Sequence, residues 1–159
     1  MITTDICIIG AGPVGLFSVF EAGLLKMRCH MVDVLPQIGG QLSEIYPKKP
    51  IYDIPGYPEI KAEDLVENLR KQILPFKPTF SLGERVETIS KADDDSFIIS
   101  TSDKTEIKAK VIVIAGGLGC FEPRKPEVER LEYFEGKGVV YMVKDPEKFR
   151  QKKLVIAGG

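Results

Sequence analysis

Residues 5–15 read DICIIGAGPVG, and this stretch constrains the fold more than any other. Gly10, Gly12 and Gly15 stand in the order G-x-G-x-x-G, directly after a run suited to a buried strand and at the opening of a helical run. Each glycine has its own task in such a turn. Gly10 permits the tight reversal, Gly12 admits a pyrophosphate to the backbone, and Gly15 lets helix and strand pack closely. Pro13 suits the first helical position, where its missing N–H is not needed. The helix N-terminus then offers unpaired N–H groups and partial positive charge to an anion. Asp33 ends the next apolar strand, about 20 residues on, where an acid accepts the ribose hydroxyls of a dinucleotide. Its charge repels a 2′-phosphate, so the site is expected to take NAD or FAD rather than NADP.

The remaining pattern builds an α/β fold. Asp5 to Ile9 and Cys29 to Val32 read as short buried strands, and Pro13 to about Leu25 as a helix apolar on nearly every side. Residues 34–60 are rich in Pro and Gly, too irregular for scaffold and too long for a neutral connection, which points to function. Ala62 to Leu74 is amphipathic, with Leu65, Val66, Leu69 and Ile73 on one side of a helix. RVETIS, SFIIST and TEIKAK follow, separated by polar turns, as a β-meander. VIVIAGG adds a fully apolar strand ending in paired glycines. Residues 121–137 read as a surface connection, and GVVYMV, DPEKFRQ and KLVIAGG as the opening of a second α/β unit.

Composition excludes several classes. With 22 Lys and Arg against 23 Asp and Glu, the chain lacks the concentrated positive field that phosphate neutralisation needs, so nucleic acid is not expected as a partner. Ile6 to Phe20 is uncharged and mostly apolar, but Asp5 precedes it and glycines and a proline interrupt it, unlike a signal sequence. It also falls short of the roughly 18 residues of a membrane span. No membrane partner is expected, and the expected location is cytoplasmic. Cys7, Cys29 and Cys120 are odd in number and far apart, which suits reduced thiols, the first two as core packing. One histidine, His30, cannot complete a Cys/His zinc site of ordinary spacing.

A simple NAD-binding unit continues with further βαβ crossovers, whereas here a β-meander makes the connection before VIVIAGG. That replacement resembles the FAD domain of flavoprotein reductases with two dinucleotide-binding domains. PQIGGQL, LSEIYPKKPIYDIPGYP, FEPRKP and GVVYMVKDPEKFRQKKLVIAGG resemble segments of thioredoxin reductases and, more closely, of thioredoxin-reductase-like ferredoxin–NADP reductases. The resemblance covers essentially all 159 residues. It implies a Rossmann-like, three-layer FAD-binding domain over 1–117, with a parallel sheet and β-meander crossover. Residues 118–159 become a linker and the start of a second dinucleotide-binding domain, for NADPH, with LVIAGG opening its fingerprint. On this reading the sequence is an N-terminal fragment, inactive alone.

The resemblance also implies roles. Asp33 meets the adenosine ribose of FAD, Gly39 and Gly40 let backbone approach the cofactor, and Gln41 and Tyr46 lie near the flavin, where Tyr46 stacks or else pins the irregular loop. Val86 meets the adenine through its backbone or is a plain strand residue. Phe121 lies beside the flavin or is a hydrophobic plug. Thioredoxin reductases carry a C-x-x-C between the AGG turn and the second fingerprint, because a dithiol must exchange with the partner's disulfide. YMVKDPEK holds no cysteine. The implied reaction passes electrons from NADPH through FAD to ferredoxin or flavodoxin, in a homodimer. The alternatives are a thioredoxin-reductase-like disulfide oxidoreductase and a reductase of another small acceptor. Lys48, Lys49, Arg124 and Lys125 read as solvated lysines and arginine before they read as a docking patch.

Overall fold

A computed structural model describes residues 1–119, 125–141, 143 and 145–157. Strand β1 (Ile2–Ile9) runs into helix α1 (Pro13–Leu24), which returns the chain to β2 (Cys29–Asp33) beside β1. The segment after β2 holds a one-turn helix, α2 (Gln41–Glu44), and a two-residue pair, β3 (Pro50–Ile51) and β4 (Ile60–Lys61). Helix α3 (Ala62–Ile73) follows, then β5 (Thr79–Leu82), β6 (Val86–Lys91), β7 (Phe97–Thr101) and β8 (Glu106–Ile114). The main sheet has the order β5-β2-β1-β8-β7-β6. Its β5-β2, β2-β1 and β1-β8 pairings are parallel, and the two that build the meander are antiparallel.

Alternation along β1 divides the interior. Ile6 and Ile8 join Leu16, Val19 and Ala22 of α1, Met31 of β2, and Val66 and Ile73 of α3 in one buried cluster. Cys7, one residue out of phase, joins Val32, Ile99, Ile107 and Ala109 in a second cluster under the meander. Helices, parallel strands and meander are thus three layers around two cores, as the α/β reading expects. Complete burial of Ile8, Leu16 and Met31 contributes about 1.5–3 kcal/mol each. Both buried cysteines are packing residues: burial pushes the Cys7 thiol up to about 11, so it stays protonated and unreactive.

Several boundaries differ from the sequence reading. TEIKAK and VIVIAGG are one strand, β8, because no turn residue separates Lys110 from Val111. Its first half pairs with β7 while its whole length pairs with β1. It is also less enclosed than an apolar run suggests, with Val111 and Ile114 exposed. Strand β1 begins at Ile2, three residues early, where the buried Thr4 hydroxyl donates to Arg28 O at 2.9 Å. Strand β5 was not foreseen, since its four residues follow Pro78 and carry two hydroxyls. It is there because Thr79 and Ser81 flank the buried His30 imidazole, at 2.7 Å from Nδ1 and 3.0 Å from Nε2.

Contacts divide the chain into two units, residues 1–121 and 122–159. The second holds a one-turn helix, α4 (Leu131–Phe134), a 3-10 turn at Pro146–Phe149, and an isolated bridge between Glu135 and Val139. Glu135 accepts from Lys125 Nζ and from the Tyr141 hydroxyl, both at 2.7 Å, which holds its carboxyl below the usual range. The strands read from GVVYMV and KLVIAGG are not formed among the described residues, and Val155 and Ile156 are almost fully exposed. A parallel strand needs paired neighbours and cover on both faces, and the described residues of this unit supply neither.

Burial pushes the His30 pKa below its ordinary 6.5, against a smaller opposing pull from Glu84. The unfolded chain therefore takes up a proton at 6.5 that the folded chain still refuses. Stability is full above 6.5 and is lost as pH falls from there through the lower folded value. Urea midpoints measured from pH 7.5 to 5.5 are expected to fall below pH 6.5, and to flatten over that range in His30→Gln. A wild-type midpoint that rises on acidification contradicts the buried neutral imidazole.

Candidate functional site

The fingerprint turn is held from both sides. Gly10 donates its N–H to Val32 O at 2.8 Å, and Ala115 donates to Ile9 O at 2.7 Å, so the chain reverses between the ends of β2 and β8. Gly10 has φ +107°, and a methyl group there would stand 2.3 Å from Ala115 O. A methyl at Gly15 would stand 1.9 Å from Gly10 O and 3.2 Å from Met31 Cε. Protein packing alone therefore demands both glycines. Gly12 is different: its φ is −73°, and the nearest atom to a methyl there is Gly40 Cα at 4.0 Å. Among the described residues nothing needs Gly12 to lack a side chain. Gly12 is the N-cap of α1 and Pro13 its first residue, so the unpaired donors of the first turn open beside this bare backbone.

Asp33 and the loop behind it complete the edge. Asp33 Oδ2 accepts from Ala11 N at 2.6 Å and Oδ1 from Leu35 N at 2.9 Å, so its carboxylate already braces the fingerprint turn. Each oxygen keeps a second lone pair, which leaves room for a hydroxyl donor. The Asp33 region also receives the start of the meander: Glu84 N donates to Asp33 O, and Gly83 N to Leu35 O, both at 3.0 Å. Gly39 donates to Ala11 O at 2.8 Å, and Gly40, at φ +57°, comes so close to Gly12 that a methyl on it would lie 3.1 Å from Gly12 Cα. The Gly39-Gly40 pair thus lets the irregular loop lie against the fingerprint.

The structure brings Gly10, Gly12, Pro13, Gly15, Asp33 and Gly40 together at the C-terminal ends of β1 and β2. Gln41 follows directly as the first residue of α2. Tyr46 is half-buried, its hydroxyl 3.4 Å from Gln41 Oε1 and its ring 5.2 Å from Lys49 Nζ. It lines an open groove of about 410 Å³ with Lys49, Ile51 and Tyr52. A second open groove, of about 450 Å³, lies between Val14 and residues 114–117 and 119. Val86 opens β6 beside a register shift and is half-buried against the second core, two residues from the Glu84 contact with Asp33. Phe121 and Cys120 lie outside the described residues. Sequence reasoning missed Glu84, whose backbone N–H holds the Asp33 carbonyl, because one charge in a loop gives no periodic signal. Among the described residues no cluster could hold a metal ion, and no helix is long and apolar enough to cross a membrane.

No protein-family model matches the chain. Over all 159 residues it is 65% identical to ferredoxin–NADP reductase 1 of Christiangramia forsetii and 64% identical to the ferredoxin–NADP reductase of Flavobacterium johnsoniae, covering 45% of each. The chain is related to the ferredoxin–NADP reductases. It spans somewhat under half the length of these curated reductases. Among solved structures, the thioredoxin reductase of Lactococcus lactis superposes with a TM-score of 0.67 at 25% identity, over 87% of this chain and 43% of that one. The likeness to ferredoxin–NADP reductases is thus one of sequence along the entire chain, and the layered fold is shared with thioredoxin reductase.

The three fingerprint glycines are expected to separate in a stability measurement. Gly10→Ala and Gly15→Ala each overpack a backbone carbonyl and should lose about 1–3 kcal/mol or more. Gly12→Ala should stay within about 0.5 kcal/mol of wild type. Urea unfolding of the three variants checks this; a Gly12→Ala loss equal to that of Gly15→Ala contradicts the open space above Gly12.

Proposed function

We propose that this chain carries the FAD-binding portion of an NADPH-dependent ferredoxin reductase. The observation that carries the reading is the bare backbone at Gly12 and Gly40 beside the α1 N-terminus. At Gly12 it is a cradle that a methyl group would begin to fill and that packing among the described residues does not explain, while Gly40 lies against it. Gly12 and the first-turn donors of α1 would hold the pyrophosphate, with Gly10, Pro13 and Gly15 fixing the turn. Asp33 would accept the ribose hydroxyls, and Val86 would meet the adenine through its backbone. Gln41, Tyr46 and Phe121 would stand near the flavin. When bound, FAD supplies the chemistry of accepting two electrons together from NADPH and releasing them singly.

The identity to named ferredoxin–NADP reductases supports NADPH as donor and ferredoxin as acceptor; flavodoxin is the second acceptor of the same class. The domain division proposed is 1–117 for the FAD portion and 118–159 for a linker and the start of an NADPH-binding domain. A homodimer in the cytoplasm completes the reading. Against a disulfide reductase stands the sequence from Tyr141 to Lys148, which holds no cysteine to exchange with a disulfide.

The full-length protein is therefore expected to reduce ferredoxin with NADPH, read through cytochrome c, and to leave thioredoxin with a chromogenic disulfide unreduced. Cys120→Ser should keep ferredoxin activity nearly intact. Saturable thioredoxin turnover that depends on Cys120, with little ferredoxin activity, overturns the acceptor class.

A further inference from the structure

The irregular segment between α2 and α3 is tied down by its backbone. Lys49 donates its N–H to Tyr46 O at 3.0 Å, which closes a turn over residues 46–49. The first donors of α3, which have no partner within their own helix, then hold that turn. Ala62 N donates to Lys49 O at 3.0 Å and Glu63 N to Pro47 O at 2.9 Å. Helix α3 is itself anchored, with Ala62, Leu65, Val66 and Ile73 buried. Tyr46 and Lys49 are therefore carried at a set spacing by a helix of the core.

The side chains use that spacing. Lys49 Nζ stands 5.2 Å from the centre of the Tyr46 ring, within the range at which the ring face attracts a cation. Among the described residues the ring is the one partner of this ammonium, and Lys49 is otherwise exposed. Both residues line the groove of about 410 Å³, with Leu42, Pro50 and Ile51 as its apolar surface. Asp53 lines it as well, but of the two charges Lys49 alone is tied to the Tyr46 ring.

We propose that Lys49 acts on the flavin through Tyr46: the ammonium carried on the ring makes the groove hold reduced flavin more tightly than oxidised flavin, and so raises the potential of the bound cofactor. The proposal rests on the reading of Tyr46 as the aromatic that stacks on FAD. Hydride transfer from NADPH leaves NADP+ and adds one hydrogen and one negative charge to the flavin, so a nearby cation favours the product of that step. Stacked aromatic rings have centres about 4.5–7 Å apart, which sets a flavin on Tyr46 within about 12 Å of the ammonium. Such a charge is felt in dilute salt, where the screening length is about 30 Å, and is lost at about 1 M, where it is about 3 Å.

The test uses the full-length protein with FAD, its midpoint potential measured against a reference dye in about 0.01 M and about 1 M salt. In dilute salt Lys49→Met should lower the ratio of reduced to oxidised flavin at a fixed ambient potential about two- to tenfold. That is the span for unit charges roughly 10 Å apart between protein-surface and water dielectrics. At about 30 mV per tenfold for a two-electron couple, the fall is about 10–30 mV. Lys49→Arg keeps the charge over the ring and should stay at the wild-type potential. In about 1 M salt the difference between wild type and Lys49→Met should vanish. Oxidised FAD should bind Lys49→Met as it binds wild type, because the bonds that fix the turn are backbone bonds. Equal weakening of oxidised and reduced FAD overturns the role of the charge. A wild type that binds no FAD overturns the nucleotide reading together with the role built on it. A wild type that binds FAD, with Lys49→Met at the same potential in dilute salt, overturns the role of Lys49 alone.

Discussion

Gly10 is held by Val32 on one side, while Ala115 beside it is held by Ile9, so the turn after β1 is locked between two parallel strands before any ligand is considered. The other features of this edge follow from that lock. Because the turn is so tight, α1 starts with Gly15 pressed on the Gly10 carbonyl, and only glycine fits. The start of α1 then aims its free donors past Gly12. Asp33 lies one strand away, close enough for its carboxylate to take the Ala11 N–H and hold the turn from outside. The pair Gly39-Gly40 brings the following loop to within van der Waals distance of Gly12. On the proposed reading, the nucleotide site is a consequence of backbone packing, with charge added at one residue.

Much of this was legible in the sequence, and for definite reasons. The fingerprint glycines are readable because each answers to a steric demand that no other residue meets. Helix α3 is readable because its apolar residues recur at helical spacing, and the meander because polar turns punctuate alternating runs. Strand β5 was not legible: four residues with two hydroxyls look like loop until His30 is known to need partners. The division of β8 into two strands was misread because a change of partner along one strand leaves no mark in the sequence. The apolar runs in GVVYMV and KLVIAGG form no strands among the described residues, since composition cannot supply neighbours.

Asp33 shows where sequence and structure say different things about one residue. The spacing assigns it to a ribose, yet its carboxylate is already used twice by the protein, at Ala11 and Leu35. The two roles are compatible because a carboxylate has four acceptor positions. They also mean that replacing Asp33 would disturb the fingerprint turn as well as remove a ligand contact, so Gly12 is the cleaner probe of binding. The same logic separates the reductase reading from a disulfide enzyme. The shared fold with thioredoxin reductase says nothing about the acceptor, whereas the proposed reading rests on a segment, Tyr141 to Lys148, that holds no cysteine.

The central claim is that the space above Gly12, beside Gly40, is kept for a pyrophosphate. A crystal structure of the full-length protein with FAD tests it most directly. The account predicts the two phosphates at the N-terminus of α1, within hydrogen-bond distance of first-turn N–H groups and in van der Waals contact with Gly12, with the adenosine ribose on Asp33. Phosphates bound elsewhere, or a side chain of the protein filling the space above Gly12, would contradict it.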